Sequence, residues 1–266
     1  MEHYPTVLVI AGSDSCAGAG IQADLKACAA LGAYALTVIT AVTAQNTCGV
    51  QAIHPVPLDV VAAQVESILE DIPVAAVKTG MLADPDLVAF VARTLDRLPG
   101  VPAVVDPVMV AQSGDRLVSD QAMAALRELL LPRATVLTPN LPEAEALLGR
   151  SVGFGDEAAA WGLVALGPHW VLLKGGHGPG PWCVDLLVGE GGIRALQAPR
   201  LETPNTHGTG CTLAAALAAG LAQGLSVPKA VERAHAYLQK ALRAGALRRL
   251  GRGAGPVDHF AWVQEG

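Results

Sequence analysis

Thr6-Val7-Leu8-Val9-Ile10-Ala11 is an almost unbroken aliphatic run, closed by Gly12-Ser13-Asp14-Ser15-Cys16-Ala17-Gly18-Ala19-Gly20. β-Branched residues without polar alternation predict a strand buried on both faces, as inside a parallel sheet. A helical pattern over residues 20–31 follows the Gly-rich turn, and the same unit then recurs along the chain. Residues 35–44 read as a second strand, and 58–71 as a helix with Val61, Val65, Ile68, Leu69 and Ile72 at helical spacing. Further strands are predicted at 75–79, 103–106, 135–138 and 170–174, and helices at 84–97, 119–131 and 142–148. The segments 184–188 and 193–198, joined through Gly189, Gly191 and Gly192, predict an antiparallel hairpin. Two helices, 208–224 and 227–250, complete the chain. The expected fold is α/β: a mainly parallel central sheet flanked by helices, with one short antiparallel hairpin. No linker or repeat divides residues 1–266, which read as one domain.

Composition narrows the function. With 52% hydrophobic and 16% charged residues the chain is not disordered, and no apolar run is long enough to span a membrane. A net charge of −6 disfavours nucleic acid as a partner. Seven basic residues between Lys229 and Arg252 have the spacing of a solvated helix face. Cys16, Cys28, Cys48, Cys183 and Cys211 are odd in number, contain no CxxC pair and form no zinc pattern with the histidines. The start, with Glu2 and a short apolar strand, does not resemble a secretory signal, so a cytoplasmic protein with reduced thiols is expected.

In open α/β sheets ligands bind beyond the carboxyl ends of the strands, so the polar residues there are the first candidates for chemistry. They are Asp14, Gln45, Lys78, Asp106, Asn140 and Lys174. The strongest local signal is Asn205-Thr206-His207-Gly208-Thr209-Gly210-Cys211 running into an Ala/Leu helix. Backbone N–H groups and the helix dipole would converge there on an oxyanion or phosphate, and the same field would stabilise a Cys211 thiolate. The alternative is a plain Gly-rich cap with Cys211 as a small core residue. The 11–20 turn is neither GxGxxG nor GxxxxGK[ST], so it reads as a ligand-lining turn or an ordinary strand–helix loop. Asp24 faces the same pocket or lies exposed on its helix. Asn140 and Glu143, three apart around Pro142, suit either Mg²⁺ with retained water or a capping box. Lys174, beside Gly175 and Gly176, reads as a phosphate contact or a surface lysine.

Taken together, eight motifs resemble the ribokinase-type superfamily, and within it the bacterial hydroxymethylpyrimidine/phosphomethylpyrimidine kinases. They are AGSDSCAGAGIQADLK at 11–26, TAQNT at 43–47, KTGM at 78–81, DPVM at 106–109, TPNLPEAE at 138–145, LLKGGH at 172–177, THGTGCTLAAALAA at 206–219 and GPVDHF at 255–260. The resemblance implies a ribokinase-like three-layer sandwich and two successive phosphoryl transfers from ATP, with Mg²⁺, to hydroxymethylpyrimidine in thiamine biosynthesis. It implies that Gln45, Gly12, Asp24, Met81 and Val108 surround the pyrimidine. Cys211 takes the place of the Asp base of related sugar kinases, and Gly208, Thr209 and Gly210 form the anion hole. By the same resemblance, Lys174 would contact phosphate, Asn140, Thr206 and Gly208 would lie on the nucleotide side, and Asp106 and Glu143 would serve the metal. A homodimer is also implied. The chain departs from the pattern at Cys16-Ala17 (usually Ser-Gly), at Glu202 (often Asp), and at Ala254 and Asp258 (usually His and Asn).

Three other readings compete. A pyridoxine or pyridoxal kinase shares the Cys-containing turn, a non-catalytic pyrimidine-binding protein would share the pocket, and a thiol hydrolase would use Cys211 as nucleophile. The last lacks a partner, because His207 has no evident orienting carboxylate in the sequence.

Overall fold

The structure, a computed structural model, describes residues 3–109 and 118–263. Strands β1 (Thr6–Asp14), β2 (Tyr34–Asn46), β3 (Gly49–Pro55), β4 (Ala76–Thr79), β5 (Ala103–Val105), β6 (Val136–Leu137), β7 (Trp170–Leu173), β8 (Trp182–Gly189) and β9 (Gly192–Pro199) form one sheet. Their order is β3-β2-β1-β4-β5-β6-β7-β8-β9. From β2 through β7 neighbours run parallel, whereas β3 at one edge and β8–β9 at the other are antiparallel.

Period-two alternation divides the core into two faces. Val7, Val9 and Ala11, with Ala76, Val104 and Leu172, pack beneath α1 (Gly20–Ala30), α7 (Thr209–Ala222) and α8 (Val227–Ala246). Leu8 and Ile10, with Val77, Val105, Leu137 and Val171, face the other way. That layer holds α2 (Leu58–Leu69), α3 (Pro85–Asp96), α4 (Asp120–Ala125), α5 (Leu141–Leu148) and α6 (Glu157–Val164). The expected three layers are therefore present. Small side chains explain the scarcity of aromatics: residues 214–219 of α7 are all buried, and a Cβ on Gly220 would meet Ala230 Cβ at 2.9 Å. Among the described residues no helix is long and apolar enough to cross a membrane.

The structure adds elements that the sequence pattern conceals. β3 was not anticipated because, as an edge strand exposed along most of its length, it has no apolar face to alternate. α6, capped by the Asp156 carboxylate accepting from Ala159 N–H at 2.8 Å, lies between the helix expected at 142–148 and the strand expected at 170–174. The helix expected at 119–131 is α only as far as Ala125, then passes through a π segment (Leu126–Leu130) into a 3₁₀ turn (Leu131–Arg133). Pro132, which has no N–H to donate, sits in that last turn.

β1 pairs with β2 on one side and β4 on the other, so the chain reverses its direction of travel across the sheet at this point. A crevice opens beyond the carboxyl ends at such a reversal. The turn after β1 enters it through Ala17, the one non-glycine with positive φ (61°) among the described residues. Its N–H donates to Asp14 O at 2.9 Å. Left-handed backbone costs a residue with a Cβ about 1–2 kcal/mol. Ala17→Gly should therefore stabilise the fold by about 1 kcal/mol, raising Tm by about 2–4 °C in a chain of this size. Calorimetry checks this, and an unchanged or lower Tm would show that the turn is unstrained.

Candidate active site

The carboxyl ends of the strands and the start of α7 enclose a cavity of about 1030 Å³. Asp14, the last residue of β1, lines it. One oxygen accepts from Cys16 N–H at 2.8 Å, and the other from Gly18 N–H at 3.0 Å, Ala19 N–H at 2.8 Å and His207 Nε2 at 2.8 Å. Burial raises the carboxyl's pKa, but His207 and the backbone donors outweigh it and hold Asp14 below its ordinary value. The turn after β1 is thereby tied to the turn before α7, 193 residues away. The packing is tight: a Cβ on Gly208, which has φ +77°, would lie 1.8 Å from Gly18 O.

Gln45, near the end of β2, lines the cavity beside His207 and Thr43. Gly12, Met81 and Val108 line it too, and a Cβ on Gly12 would sit 2.7 Å from Met81 Cε. Asp24 does not. It is fully buried in α1, where Oδ2 accepts from Lys78 Nζ at 2.8 Å, and it is absent from the cavity wall. The structure places Asp24, expected beside the pyrimidine, in a buried ion pair with Lys78. α1 turns Asp24 toward the sheet, and Lys78, expected at a strand end, lies inside β4 and points at it. Burial pushes the Asp24 carboxyl up to about 6 despite Lys78. Burial works against the Lys78 ammonium, yet Asp24 keeps it above its ordinary pKa.

A second charged group closes the ends of β5, β6 and β7. Lys174 Nζ donates to Asp106 Oδ1 at 3.1 Å and lies 4.0 Å from Glu143 Oε2, so it is no surface lysine. Thr138 Oγ1 also donates to Asp106 Oδ1, at 3.0 Å. Asn140 and Glu143 form the capping box of α5: Asn140 Oδ1 accepts from Glu143 N–H at 2.9 Å, and Glu143 Oε2 accepts from Asn140 N–H at 2.8 Å. This leaves one oxygen of Glu143 outside the box. Burial opposes the Lys174 ammonium, but Asp106 and Glu143 hold its pKa above the ordinary value.

Thr206, Gly208, Thr209, Gly210 and Cys211 form the facing wall. A Cβ on Gly210 would stand 3.3 Å from Lys174 Nζ, so the turn and the lysine border one space. The Cys211 thiol differs from expectation. Burial, reinforced by Asp24 and Asp106, pushes it up to about 11, although Lys78 and the Gly20 N–H pull the other way. In the free protein Cys211 is a thiol, since desolvation outweighs the helix terminus. The sequence left His207 without a carboxylate, and Asp14 supplies it. The Nε2 so oriented faces Asp14 and Gln45, which does not help the thiol hydrolase reading. Asp14, Cys16 and His207 offer an oxygen, a sulfur and a nitrogen within 4.8 Å of one another, but both Asp14 oxygens already accept hydrogen bonds. Arg200 is a cavity residue that sequence reasoning missed: it donates to the carbonyls of Gly176, Gly178 and Gly180 at 2.6, 2.6 and 2.8 Å. No local spacing signals that contact.

The phosphomethylpyrimidine kinase family matches residues 14–258. The chain belongs to that family. A hydroxymethylpyrimidine/phosphomethylpyrimidine kinase from Rhizobium meliloti is 51% identical over 257 residues, 95% of this chain and 96% of the relative. Among solved structures, the pyridoxal kinase of Staphylococcus aureus in complex with AMP-PCP and pyridoxal is 33% identical, with a TM-score of 0.90 over 98% of this chain and 95% of that one. The phosphomethylpyrimidine kinase of Clostridium difficile 630 is 39% identical, with a TM-score of 0.78 over 89% and 98%. Both carry the α/β fold described above.

In this family member Glu143 gives a pH signature. Burial, with Asp106, pushes its carboxyl from 4.5 up to about 7, against Lys174 and the Asn140 contacts. The folded chain then holds this proton more tightly than the unfolded chain. Its contribution is fully present below about 4.5 and is lost as pH rises through about 7. Glu143→Gln removes the titration while keeping an acceptor for Asn140 N–H. In metal-free buffer the Tm difference, variant minus wild type, should be about 3–6 °C more positive at pH 8 than at pH 5. An equal difference at both pH values would show that Glu143 titrates normally.

Proposed function

We propose that this chain transfers the γ-phosphoryl group of ATP to the hydroxymethyl oxygen of hydroxymethylpyrimidine, and then a second group to the monophosphate, supplying the pyrimidine diphosphate for thiamine biosynthesis. The observation that carries the reading is one cavity that joins Gln45 and Met81 to Lys174 and the 208–211 turn. Gln45 can donate and accept, as an aminopyrimidine edge requires, and Met81 offers an adaptable apolar wall. Phosphoryl transfer is mostly positioning and charge neutralisation. Lys174 and the backbone N–H groups of 208–211 supply these without a basic surface. Relatives named for this activity, and solved relatives named with ADP or AMP-PCP bound, support ATP as the donor.

Mg²⁺ fits the residues present. Asp106 and Glu143 offer hard carboxylate oxygens on the same cavity, and Lys174 lies between them. They would hold the ion, which supplies charge neutralisation at the phosphate oxygens when bound. Cys211 takes the hydroxyl proton of the first acceptor. Its high pKa means that only a small thiolate fraction is present near neutrality, so the first transfer should accelerate as pH rises. We further assign the chain as a single-domain cytoplasmic homodimer, on its resemblance to its relatives.

A second reading is favoured by the solved pyridoxal kinases, whose TM-scores of 0.89 and 0.90 exceed that of the Clostridium difficile pyrimidine kinase. Pyridoxine or pyridoxal would then be an additional acceptor. One experiment covers both. The protein is incubated with Mg²⁺-ATP and either hydroxymethylpyrimidine or pyridoxine, and products are followed by mass. The pyrimidine should reach a diphosphate and pyridoxine at most a monophosphate. Cys211→Ala should slow the first transfer by about 10²–10⁴-fold and the second, whose acceptor is already ionised, far less. Pyridoxine as sole acceptor would overturn the main reading, and equal losses in both steps would overturn the role of Cys211.

A further inference from the structure

The stretch Gly175-Gly176-His177-Gly178-Pro179-Gly180-Pro181 leads from Lys174, at the end of β7, into β8. Its backbone is short of donors. Proline has no N–H, so the peptide units that join Gly178 to Pro179 and Gly180 to Pro181 carry a carbonyl alone. Glycine, at the other end of the scale, loses the most conformational freedom when a loop is ordered. Such a segment needs donors from elsewhere to hold one shape.

Arg200, the first residue after β9, supplies them. Its Nε donates to Gly180 O at 2.8 Å, Nη1 to Gly176 O at 2.6 Å and Nη2 to Gly178 O at 2.6 Å. Its backbone N–H donates to Pro181 O at 2.8 Å. Each guanidinium nitrogen is thus turned onto one loop, and both carbonyls that precede a proline are among its acceptors. Asp185 of β8 pins the start of the same loop, accepting from Gly175 N–H at 2.8 Å. On the outer side a Cβ on Gly178 would meet the Phe154 ring at 1.9 Å. Gly176, His177 and Arg200 line the same cavity as Lys174.

An arginine in a cavity that takes phosphate would ordinarily be read as a phosphate contact. Here the fork already faces carbonyls, and it covers the negative ends of their dipoles with a cation. We infer that Arg200 is a positioning residue for the nucleotide, folding the 175–181 loop onto the β8–β9 hairpin and so fixing the cavity wall that continues from Lys174. This rests on the kinase reading, in which the triphosphate lies at Lys174. Uncovered carbonyls beside a polyphosphate would repel it, and an unclamped glycine loop would have to be ordered each time nucleotide binds. Arg200 meets both demands before ATP arrives. The pyrimidine, in the same reading, lies against Gln45 of β2 and Met81 after β4, so its binding does not depend on the loop.

Arg200→Lys and Arg200→Met separate a clamp from a phosphate contact. Lysine keeps the charge without the planar fork, and methionine keeps an unbranched stem with neither. Both should raise KM for ATP by about 10-fold, to values within about threefold of each other. In both, kcat and KM for hydroxymethylpyrimidine should stay within about threefold of wild type. A lysine variant close to wild type beside an impaired methionine variant would make Arg200 a phosphate contact and overturn the inference. Equal rises in KM for both substrates would also overturn it, since a general structural role moves both. ¹⁵N NMR of the unaltered protein without nucleotide gives a reading that does not depend on the variants folding. An Arg200 Nε–H protected from solvent exchange supports the clamp, and a freely exchanging one contradicts it. A wild-type protein that transfers no phosphoryl group from ATP, with that Nε–H protected, would overturn the kinase reading and with it the nucleotide role of the clamp.

Discussion

The fold depends on one buried carboxylate. Asp14 accepts three backbone N–H groups from the turn that follows it and a fourth hydrogen from His207. Leaving such a charge unmatched in the interior would cost several kcal/mol, so its donors are obligatory partners. Satisfying them curls the 14–20 turn over the end of β1 and draws the 206–210 turn onto it. The glycines at 18 and 208 follow from this, because a Cβ on Gly18 would meet the His207 ring and one on Gly208 the Gly18 carbonyl. A Cβ on Gly20, at φ +55°, would lie 2.3 Å from Gly12 O.

Charge in the cavity is arranged in two tiers. Lys78 and Asp24 neutralise each other behind the wall, fully buried, and set the field felt by Cys211 from the rear. Lys174, Asp106 and Glu143 meet at the front, where the cavity reaches them. Lys174 beside the Gly-rich 208–211 turn gives this acidic chain a local cationic site without a basic surface. The same arrangement explains why the helix terminus does not produce a thiolate at Cys211: the nearby carboxylates and the loss of water both favour the neutral thiol.

Much of this was legible in the sequence. TVLVIA marked a doubly buried strand, the 189–192 glycines marked the β8–β9 hairpin, and Asn140 with Glu143 offered the capping box that is found. What escaped depends on distance or on missing contrast. The Asp14–His207 contact joins residues 193 positions apart, and no spacing encodes it. Asp24 and Lys78 each look like surface or ligand groups until the sheet brings them together. β3 has no inner face to show a period, and α6 is too short for one. The left-handed Ala17 is hidden because alanine gives no sign of that conformation.

The proposed reaction needs one cavity to hold the acceptor at Gln45 and the triphosphate at Lys174 and the 208–211 turn. A crystal structure of the protein with hydroxymethylpyrimidine and AMP-PCP bound together tests it directly. The expected complex has the ring against Gln45, the hydroxymethyl oxygen toward Cys211 Sγ, and the terminal phosphate on the N–H groups of that turn. A pyrimidine bound away from Gln45, or a triphosphate lying clear of Lys174, would contradict it.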